Sequence, residues 1–290
     1  LRTHTKKSTK RQKSITIVVQ EAFQMIGTEK FLEIVELVLL SGYLKNERPL
    51  SMIAIADAES GKTEMLRKFA FNSGVAYLTD ATAYGITKEI LPKIESKMIH
   101  HIIIPDLLKP LSRQQSTVAG LITFLNALIE EGVADISTYA QGMTYRKEHL
   151  RCGLLTAITK QALLDKRHQW TSMGFLTRAI PFSYKYSTPR ISEIFRYIIE
   201  GKYKFEEAHK MKIYKASKEV TISKHCAQQL LPFTYQFAQA NKIYGFRFQK
   251  CLQVLAQANA LKNKRNVVNT KDIKKVSEFM EWINLDFNSL

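Results

Sequence analysis

The chain has 290 residues, 45% of them hydrophobic, and is therefore long enough to bury a substantial core in two domains or in one large one. Its 43 Lys and Arg residues outnumber 26 Asp and Glu residues, and the formal net charge of +17 favours polyanionic partners, nucleic acid first. Three scattered cysteines indicate reduced thiols, no signal peptide is recognisable, and no apolar stretch reaches the roughly 20 residues of a membrane span. We therefore expect a cytoplasmic protein without a membrane partner, with association to a nucleoid or a nucleus left open.

The amino-terminal part divides into two segments. Residues 1–14 are polar and rich in Lys and Arg, which predicts a basic, disordered tail. Residues 15–48 follow with apolar side chains at helical spacing, interrupted at Gly27, and predict two helices.

A strand, a turn of small residues and a helix follow one another in residues 52–69. The apolar run 52–56 leads into residues 56–63, which read Ala-Asp-Ala-Glu-Ser-Gly-Lys-Thr, and a helical pattern continues from there. This context predicts a phosphate-binding loop, in which backbone N–H groups and the helix amino terminus point at the phosphates. Lys62 would place its charge on the β- and γ-phosphates of ATP, and the Thr63 hydroxyl would bind Mg²⁺. The residues expected to bind the nucleotide here are Ala58, Glu59, Ser60, Gly61, Lys62 and Thr63.

Ala56 stands where such loops usually have glycine. Because alanine has a Cβ atom, a positive φ would cost it more than it costs glycine, so the loop interpretation requires a negative φ at this position. The alternative interpretation is an ordinary turn that contains Gly-Lys-Thr by chance.

A carboxylate follows a later apolar strand. Residues 100–104 end in a continuous apolar run, typical of a buried parallel strand, and Asp106 comes two residues later. An ATPase needs an acid at such a strand end, and Asp106 would complete the Mg²⁺ shell or activate water. Many hydrolysing P-loop proteins carry two adjacent acids, whereas Pro105 and Leu107 flank Asp106 here. The alternative is that Asp106 only caps the following turn.

The remaining patterns, in chain order, predict an α/β domain followed by helices. Around the strand at 100–104 lie a strand at 75–78, helices at 86–94 and 116–131, a hairpin at 134–140 and 143–150, and strands at 152–159 and 181–186. After Pro189 the patterns are helical, at 191–199, 222–242, 246–261 and 270–283. We predict a three-layer α/β nucleotide-binding core with a parallel sheet at residues 49–188 and an all-helical domain at residues 189–290.

Several stretches, in this order, resemble AAA+ ATPases, and within them the branch of the MCM-like replicative helicases. Residues 125–132, 137–143 and 150–159 are similar to the family's helix, inserted hairpin and sensor-1 strand. Residues 174–178 resemble its arginine-finger segment, and residues 246–252 with 267–273 resemble its helical lid. The resemblance implies a P-loop AAA+ core with a C-terminal lid domain, ATP and Mg²⁺ as cofactors, DNA as a partner and self-association into a ring, expected to be a hexamer.

The resemblance also implies roles for four polar residues around the nucleotide. Thr159, or else Thr156, occupies the position where sensor 1 usually has Asn, and its hydroxyl would orient water. Arg178 would reach the γ-phosphate of a neighbouring subunit, and Arg247 would contact the phosphate in its own subunit. The alternative for both arginines is a surface charge.

The hairpin would supply the nucleic-acid contacts. The resemblance implies that the hairpin faces the pore of the ring and touches DNA phosphates through Arg146, Lys147 and Arg151. The alternative is an exposed charged turn, and the pore lysine usual in the family has no clear match in residues 139–142.

Two functions remain compatible with these features. The first is an ATPase motor that couples ATP binding and hydrolysis to DNA translocation, unwinding or helicase loading. The second is a nucleotide-gated module that assembles on nucleic acid with little or no hydrolysis, because the second acid and the sensor-1 Asn are missing. A small-molecule kinase built on the same loop would leave the helical C-terminal part and the basic charge without a role.

Overall fold

A computed structural model describes residues 29–134, 136–138, 142–144, 149–201, 208–211, 214 and 216–285, with the backbone alone for residues 136–138 and 142–144. The predicted basic tail at 1–14 and the first of the two predicted amino-terminal helices lie outside the described residues. The second of those helices is confirmed as α1 (Glu29–Leu40), which buries an apolar face that includes Ile34, Val35 and Val38.

Five parallel strands form the central sheet, which confirms the predicted parallel α/β architecture. Their spatial order is β2-β3-β6-β1-β7. The bounds are β1 (Met52–Ala56), β2 (Gly74–Tyr77), β3 (Ile99–Ile104), β6 (Gly153–Thr159) and β7 (Ile180–Ser183). In β1 all five residues are buried. Since neighbouring side chains of a strand point to opposite faces, both faces of the sheet are covered at its centre.

The parallel strands put all their carboxyl ends at one edge of the sheet, called here the carboxyl edge, and their starts at the opposite amino edge. Ala56 at the end of β1 pairs with Thr159 at the end of β6, and Ile104 at the end of β3 pairs with Thr156. The loops that follow these strands therefore converge, as the sequence pattern predicts for a nucleotide-binding sheet.

The predicted hairpin is confirmed, although its ladder is shorter than expected. Strands β4 (Ile136–Thr138) and β5 (Gly142–Thr144) pair antiparallel, and an isolated bridge between Val133 and Leu150 lies below them. The hairpin is inserted between the helix Gln115–Asn126 and β6, as the order of patterns indicates.

Helices connect the strands and then make up the carboxyl-terminal part. In the described residues, the helices after α1 are α2 (Lys62–Arg67), α3 (Ala83–Gly85), α4 (Leu91–Glu95), α5 (Leu108–Leu111), α6 (Gln115–Asn126), α7 (Lys160–Ser172), α8 (Thr188–Ile199), α9 (Lys224–Gln229), α10 (Leu231–Asn241), α11 (Phe246–Lys262) and α12 (Thr270–Ser277). A π-helical turn, Ile86–Ile90, joins α3 to α4, and another, Ala127–Glu131, extends α6. None of the helices in the described part combines the length and apolar character needed to cross a membrane.

The carboxyl-terminal helices pack along α1. Helix α11 contacts α1 and the 3₁₀ turns Ser41–Tyr43 and Leu176–Arg178, which come shortly before β1 and β7. Ion pairs tie the same surfaces together, with Lys262 on Glu36 at 2.8 Å and Lys275 on Glu33 at 2.8 Å. The helical character predicted for this part is confirmed, whereas a boundary near Pro189 and a role as a lid stay predictions.

Strand β7 forms one edge of the sheet, and residues 282–284 run beside it. The Ser183 N–H donates to the Trp282 carbonyl at 2.7 Å, and the Ser183 hydroxyl donates to the Asn284 carbonyl at 3.2 Å. Trp282 also stacks on Phe182 with ring centroids 6.0 Å apart. The carboxyl-terminal segment is thereby fixed against the sheet.

Candidate functional site

The predicted phosphate-binding loop connects β1 to α2 at the carboxyl edge. Gly61 adopts φ 81° and Glu59 adopts φ 59°, so two of the loop's residues have left-handed backbone. Ala56 has no such φ, which meets the condition set by its Cβ atom. Alanine in place of glycine at position 56 therefore causes no backbone strain. The left-handed residues of the loop are Glu59 and Gly61.

Lys62 folds back into the loop. Its ammonium donates to the Ala56 carbonyl at 2.9 Å, to the Asp57 carbonyl and to the Ser60 hydroxyl at 3.0 Å, and the residue is 8% exposed. Burial lowers the pKa of Lys62, and the charges of Asp57 and Asp106 partly oppose that shift. The loop thus encloses one cation whose partners are neutral oxygens, and an incoming phosphate can replace those partners.

Thr63 and Asp106 meet at the same edge. The Thr63 hydroxyl lies 3.5 Å from the Pro105 carbonyl, next to Asp106 in the chain. Asp106 is exposed, and its Oδ1 accepts the Leu108 N–H at 3.0 Å. A hydroxyl and a carboxylate are hard oxygen donors, which suit Mg²⁺. The capping hydrogen bond uses only one carboxylate oxygen of Asp106. The other oxygen can still bind a metal ion, so the two interpretations of Asp106 do not exclude each other. Leu107 is fully buried and offers no second acid.

Two tyrosines hydrogen-bond the loop from the side of β7. The hydroxyls of Tyr184 and Tyr186 both donate to the Ser60 carbonyl, at 3.0 Å and 2.9 Å. They follow β7 and share one face because they are two residues apart. Burial raises the pKa of Tyr184, so it stays a neutral donor. The alternation of two tyrosines just after a strand was the available signal, but it does not reveal which carbonyl they reach.

Two lysines add positive charge beside the loop. A cleft of about 160 Å³ opens there, lined by Ile55, Ala56, Asp57, Lys160, Tyr184 and Lys185. Lys160 comes directly after β6, and Lys185 comes two residues after the end of β7. Their position after parallel strands could have been predicted, since such strand ends meet at the same edge.

The two threonines proposed for sensor 1 have other hydrogen bonds. Thr156 is fully buried, and its hydroxyl donates to the Ile104 carbonyl at 2.7 Å. The Thr159 hydroxyl caps α7 by accepting the Ala162 N–H at 3.3 Å. Only Thr159 stands at the carboxyl edge, beside Ala56, so it is the one that the structure brings to the loop.

Arg178 lies at the amino edge, away from the loop of its own chain. Its Nη2 pairs with Glu131 Oε1 at 2.8 Å and its Nη1 donates to the Met173 carbonyl at 3.3 Å. Its buried Nε has no hydrogen-bond partner in the described part of the chain. Strand β6, with seven residues, spans roughly 20 Å between the two edges. Arg178 therefore cannot contact a phosphate held by its own Lys62.

Arg247 also lies at the amino edge. Its Nε is 3.3 Å from Glu130 Oε1, a carboxylate that it shares with Arg48. The structure does not bring Arg247 to the phosphate loop of the same chain, so its proposed phosphate contact would require α11 to occupy a different position.

Of the three residues proposed for DNA contact, the structure describes only Arg151. Arg151 donates from Nε to the Glu130 carbonyl at 2.9 Å and from Nη2 to the Glu131 carbonyl at 3.0 Å. These bonds cap the last turn after α6, where carbonyls lack helical partners. Arg146 and Lys147 lie outside the described residues.

Comparisons with known proteins find likeness among solved structures. No family model and no curated protein matches the chain. A solved structure described as a "putative ATPase" from Cytophaga hutchinsonii is similar with a TM-score of 0.45 and 12% identity, over 91% of this chain and 84% of the other. At this level the likeness does not assign an activity to this chain.

Proposed function

We propose that the chain is a P-loop ATPase of the AAA+ type, which binds ATP with Mg²⁺ at residues 57–63 and hydrolyses it. The observation that carries the proposal is Lys62, enclosed by neutral oxygens in a loop between a buried parallel strand and a helix amino terminus. Asp106 and Thr63 lie beside it at the same edge of the sheet.

Each residue would act through its position. Lys62 would exchange its loop oxygens for phosphate oxygens, and Lys160 and Lys185 would add charge at the adjoining cleft. Thr63 and Asp106 would hold Mg²⁺, which when bound supplies charge that offsets the phosphates. Asp106 keeps one carboxylate oxygen outside its capping bond, and that oxygen would bind the metal or its water. The hydrogen bonds from Tyr184 and Tyr186 to the Ser60 carbonyl would hold the loop in a conformation that can bind the ligand.

Binding and turnover test the proposal in the full chain. Wild-type protein is expected to bind a fluorescent ATP analogue in a Mg²⁺-dependent way and to release phosphate from ATP. Lys62→Ala should abolish binding, since the loop loses its cation. Asp106→Asn should retain binding without Mg²⁺ dependence and lose turnover by about 100-fold or more, as expected for a group that acts on the transition state. Wild-type protein that binds neither ATP nor ADP would overturn the proposal.

A second candidate is a nucleotide-gated module with little or no hydrolysis. It is favoured by Leu107 in the place of a second acid and by Thr159, whose hydroxyl is already engaged as a helix cap. Saturable ATP binding together with background turnover in the wild type would select this candidate.

The finer proposal is a ring in which Arg178 of one subunit serves the nucleotide of the next. Its support is geometric, because Arg178 lies about one strand length from its own loop and near the surface of the amino edge. Movement along DNA, unwinding or helicase loading would follow from such a ring if the inserted hairpin contacts DNA. For the motor, we expect DNA to stimulate ATP turnover in the wild type. An Arg146→Gln/Lys147→Gln variant should lose this stimulation.

A further inference from the structure

A groove of about 930 Å³ lies at the amino edge, apart from the phosphate loop. It runs between α7, the start of β7 and the turn that joins α10 to α11. This basic groove is defined by Arg167, Lys242, Tyr244, Gly245, Phe246 and Arg247 among its lining residues. Its size falls in the range of ligand-binding clefts. Of its lining residues only Arg247 was given a role at the nucleotide, and the structure holds Arg247 away from the phosphate loop of its own chain.

Two aromatic rings stand out of this groove into solvent. Tyr244 is 87% exposed and Phe246 is 79% exposed. The rings are stacked, with centroids 5.6 Å apart and planes at 6°. Two large apolar rings kept side by side in water indicate a contact surface, and their parallel faces suit a flat aromatic partner.

The charged residues that line the groove are basic, and one of them, Arg247, pairs with Glu130 outside the lining. Arg167, Lys242 and Arg247 line the groove, and no acidic residue is among its described lining residues. The amino terminus of α11 also opens here, and no side chain caps it. Cationic side chains together with a helix amino terminus attract phosphate groups.

Gly245 fixes the rings in this arrangement. It has φ 80°, and a Cβ atom there would lie 3.0 Å from both Ala238 Cβ and Thr234 Cγ2. The turn between α10 and α11 is therefore tight, and it holds Tyr244 and Phe246 on either side of a single left-handed residue.

We propose that the basic groove binds single-stranded nucleic acid, DNA or RNA, with bases stacked on Tyr244 and Phe246 and phosphates near Lys242, Arg167 and the start of α11. Exposed stacking faces next to cations are the combination that sequence-tolerant single-strand binding requires. The net charge of +17 is consistent with a polyanionic partner. This site does not depend on ATP binding at residues 57–63, nor on the hairpin residues Arg146 and Lys147.

Fluorescence anisotropy of labelled 15-mers tests the stacking. The full chain, without nucleotide, is titrated into dT and rU homopolymers and into a 15-mer of abasic deoxyribose phosphates. Tyr244→Ala and Phe246→Ala are each expected to weaken binding of a base-containing strand by about fivefold or more, and to leave the abasic strand unaffected. Phe71→Ala is the matched control, because Phe71 is 87% exposed and is not among the groove's lining residues.

The salt dependence tests the phosphate contacts. Lys242→Gln should reduce the slope of log affinity against log salt by about 0.7, the value expected for one phosphate contact to a single strand. Comparing the affinities for dT and rU shows whether the groove prefers DNA or RNA. Tighter binding of either strand supports the proposal.

Three results would overturn the inference. One is unchanged affinity for both base-containing strands in the two aromatic variants, whose circular dichroism should match the wild type. Another is equal affinity of the wild type for abasic and base-containing strands. The third is a change in oligomeric state of Tyr244→Ala, measured by sedimentation, without a change in oligonucleotide affinity, which would make the groove a contact between copies of the chain.

Discussion

Ser60 links the phosphate loop to the neighbouring strand through one carbonyl oxygen. Tyr184 and Tyr186 both donate to it, while the Ser60 hydroxyl donates to the Asp57 carbonyl at 2.7 Å within the loop. Because this carbonyl has two side-chain donors, the loop keeps its shape even though Glu59 is held in left-handed backbone. The conformation in which the loop can bind a ligand therefore depends on Tyr184 and Tyr186, which lie outside the loop.

Removing these hydroxyls should loosen the loop. Tyr184→Phe and Tyr186→Phe are each expected to lower the free energy of unfolding by about 1 kcal/mol and to weaken ATP affinity by up to about fivefold. The double variant should lose more than the sum, since the Ser60 carbonyl then has neither donor. Urea denaturation and ATP titration measure the two effects.

Tyr214→Phe serves as the control for this pair. Its hydroxyl donates to the Leu261 carbonyl at 2.9 Å, away from the loop. It should lower stability by a similar amount and leave ATP affinity unchanged. Equal ATP affinity in all these variants would contradict a role of the Tyr184 and Tyr186 hydrogen bonds in nucleotide binding.

The sequence identified the residues of the loop because each has a local pattern. Lys62, Thr63 and Asp106 stand at fixed places after apolar runs, and the structure brings them to one edge. Arg247 was assigned because residues 246–252 and 267–273 resemble the helical lid of AAA+ ATPases. A helix pattern reveals which residues share a face but not which surface the helix packs on, and here α11 packs on α1.

At the scale of elements, β6 packs against β1 and β3 with no spare room at its start. A Cβ atom on Gly153 would lie 2.2 Å from His101 Cδ2 and 2.4 Å from the Leu50 carbonyl oxygen. His101 is fully buried and is itself bonded to that carbonyl, at 3.1 Å from its Nε2. Neither neighbour can move without breaking the sheet's packing.

Gly153→Ala is therefore expected to destabilise the protein by about 3 kcal/mol, through overpacking and the strained His101 bond. The matched substitution is Gly120→Ala in α6, where no atom lies within 4 Å of the added Cβ. That change should raise stability by about 0.5–1 kcal/mol, as alanine favours helix. Chemical denaturation of both variants measures the difference, and a similar loss in both would show that the packing at β6 is not the cause.

Strands and helices with a clear pattern of apolar residues were predicted from the sequence. Elements in which this pattern is weak were missed. β1, β3 and β6 are nearly continuous apolar runs and were found within one or two residues. Helix α7 was missed, because it is largely polar and buries only Leu163 and Trp170. The helix expected over residues 222–242 divides at Leu230, where Pro232 starts α10 in its first turn.

At the scale of the whole molecule, the loop and Arg178 occupy opposite edges of one sheet. A chain on its own cannot bring the two together, whereas a head-to-tail neighbour can. In that arrangement every nucleotide would lie between the carboxyl edge of one copy and the amino edge of the next.

Mixing two inactive variants tests this arrangement. Lys62→Ala and Arg178→Ala should each lower ATP turnover by about 100-fold or more when assayed alone. A 1:1 mixture that re-assembles at random should recover about one quarter of wild-type turnover, since a quarter of its head-to-tail contacts join an intact loop to an intact Arg178. Glu131→Gln, which removes the same ion pair but keeps the arginine, should retain turnover. A mixture as inactive as its parts would contradict catalysis between copies.

Acid should loosen the contact between α1 and the carboxyl-terminal part. Burial raises the pKa of Glu36, but hydrogen bonds from His209 and Lys262 outweigh it and hold the pKa below the ordinary value of 4.5. A carboxyl whose pKa is lowered in the folded state adds stability above its unfolded pKa and loses it as the pH falls through the folded value. The free energy of unfolding should therefore decline more steeply below about pH 4.5 in the wild type than in Glu36→Gln.

Urea denaturation between pH 7 and pH 3 measures this dependence. Glu29→Gln removes an exposed carboxylate from the first turn of the same helix and should keep the wild-type profile. Parallel profiles for the wild type and Glu36→Gln would contradict the assignment to Glu36.

The edge strand β7 limits how copies of this protein can associate. Its inward N–H groups serve β1, where Ile180 donates to Ser51 and Tyr184 to Ile55. Of its outward positions, Pro181 has no N–H and the Ser183 N–H is taken by Trp282. A foreign strand approaching here meets no donor, so intermolecular β-augmentation and amyloid-like stacking are blocked on this side. Copies that meet at β7 would therefore have to make contact through side chains.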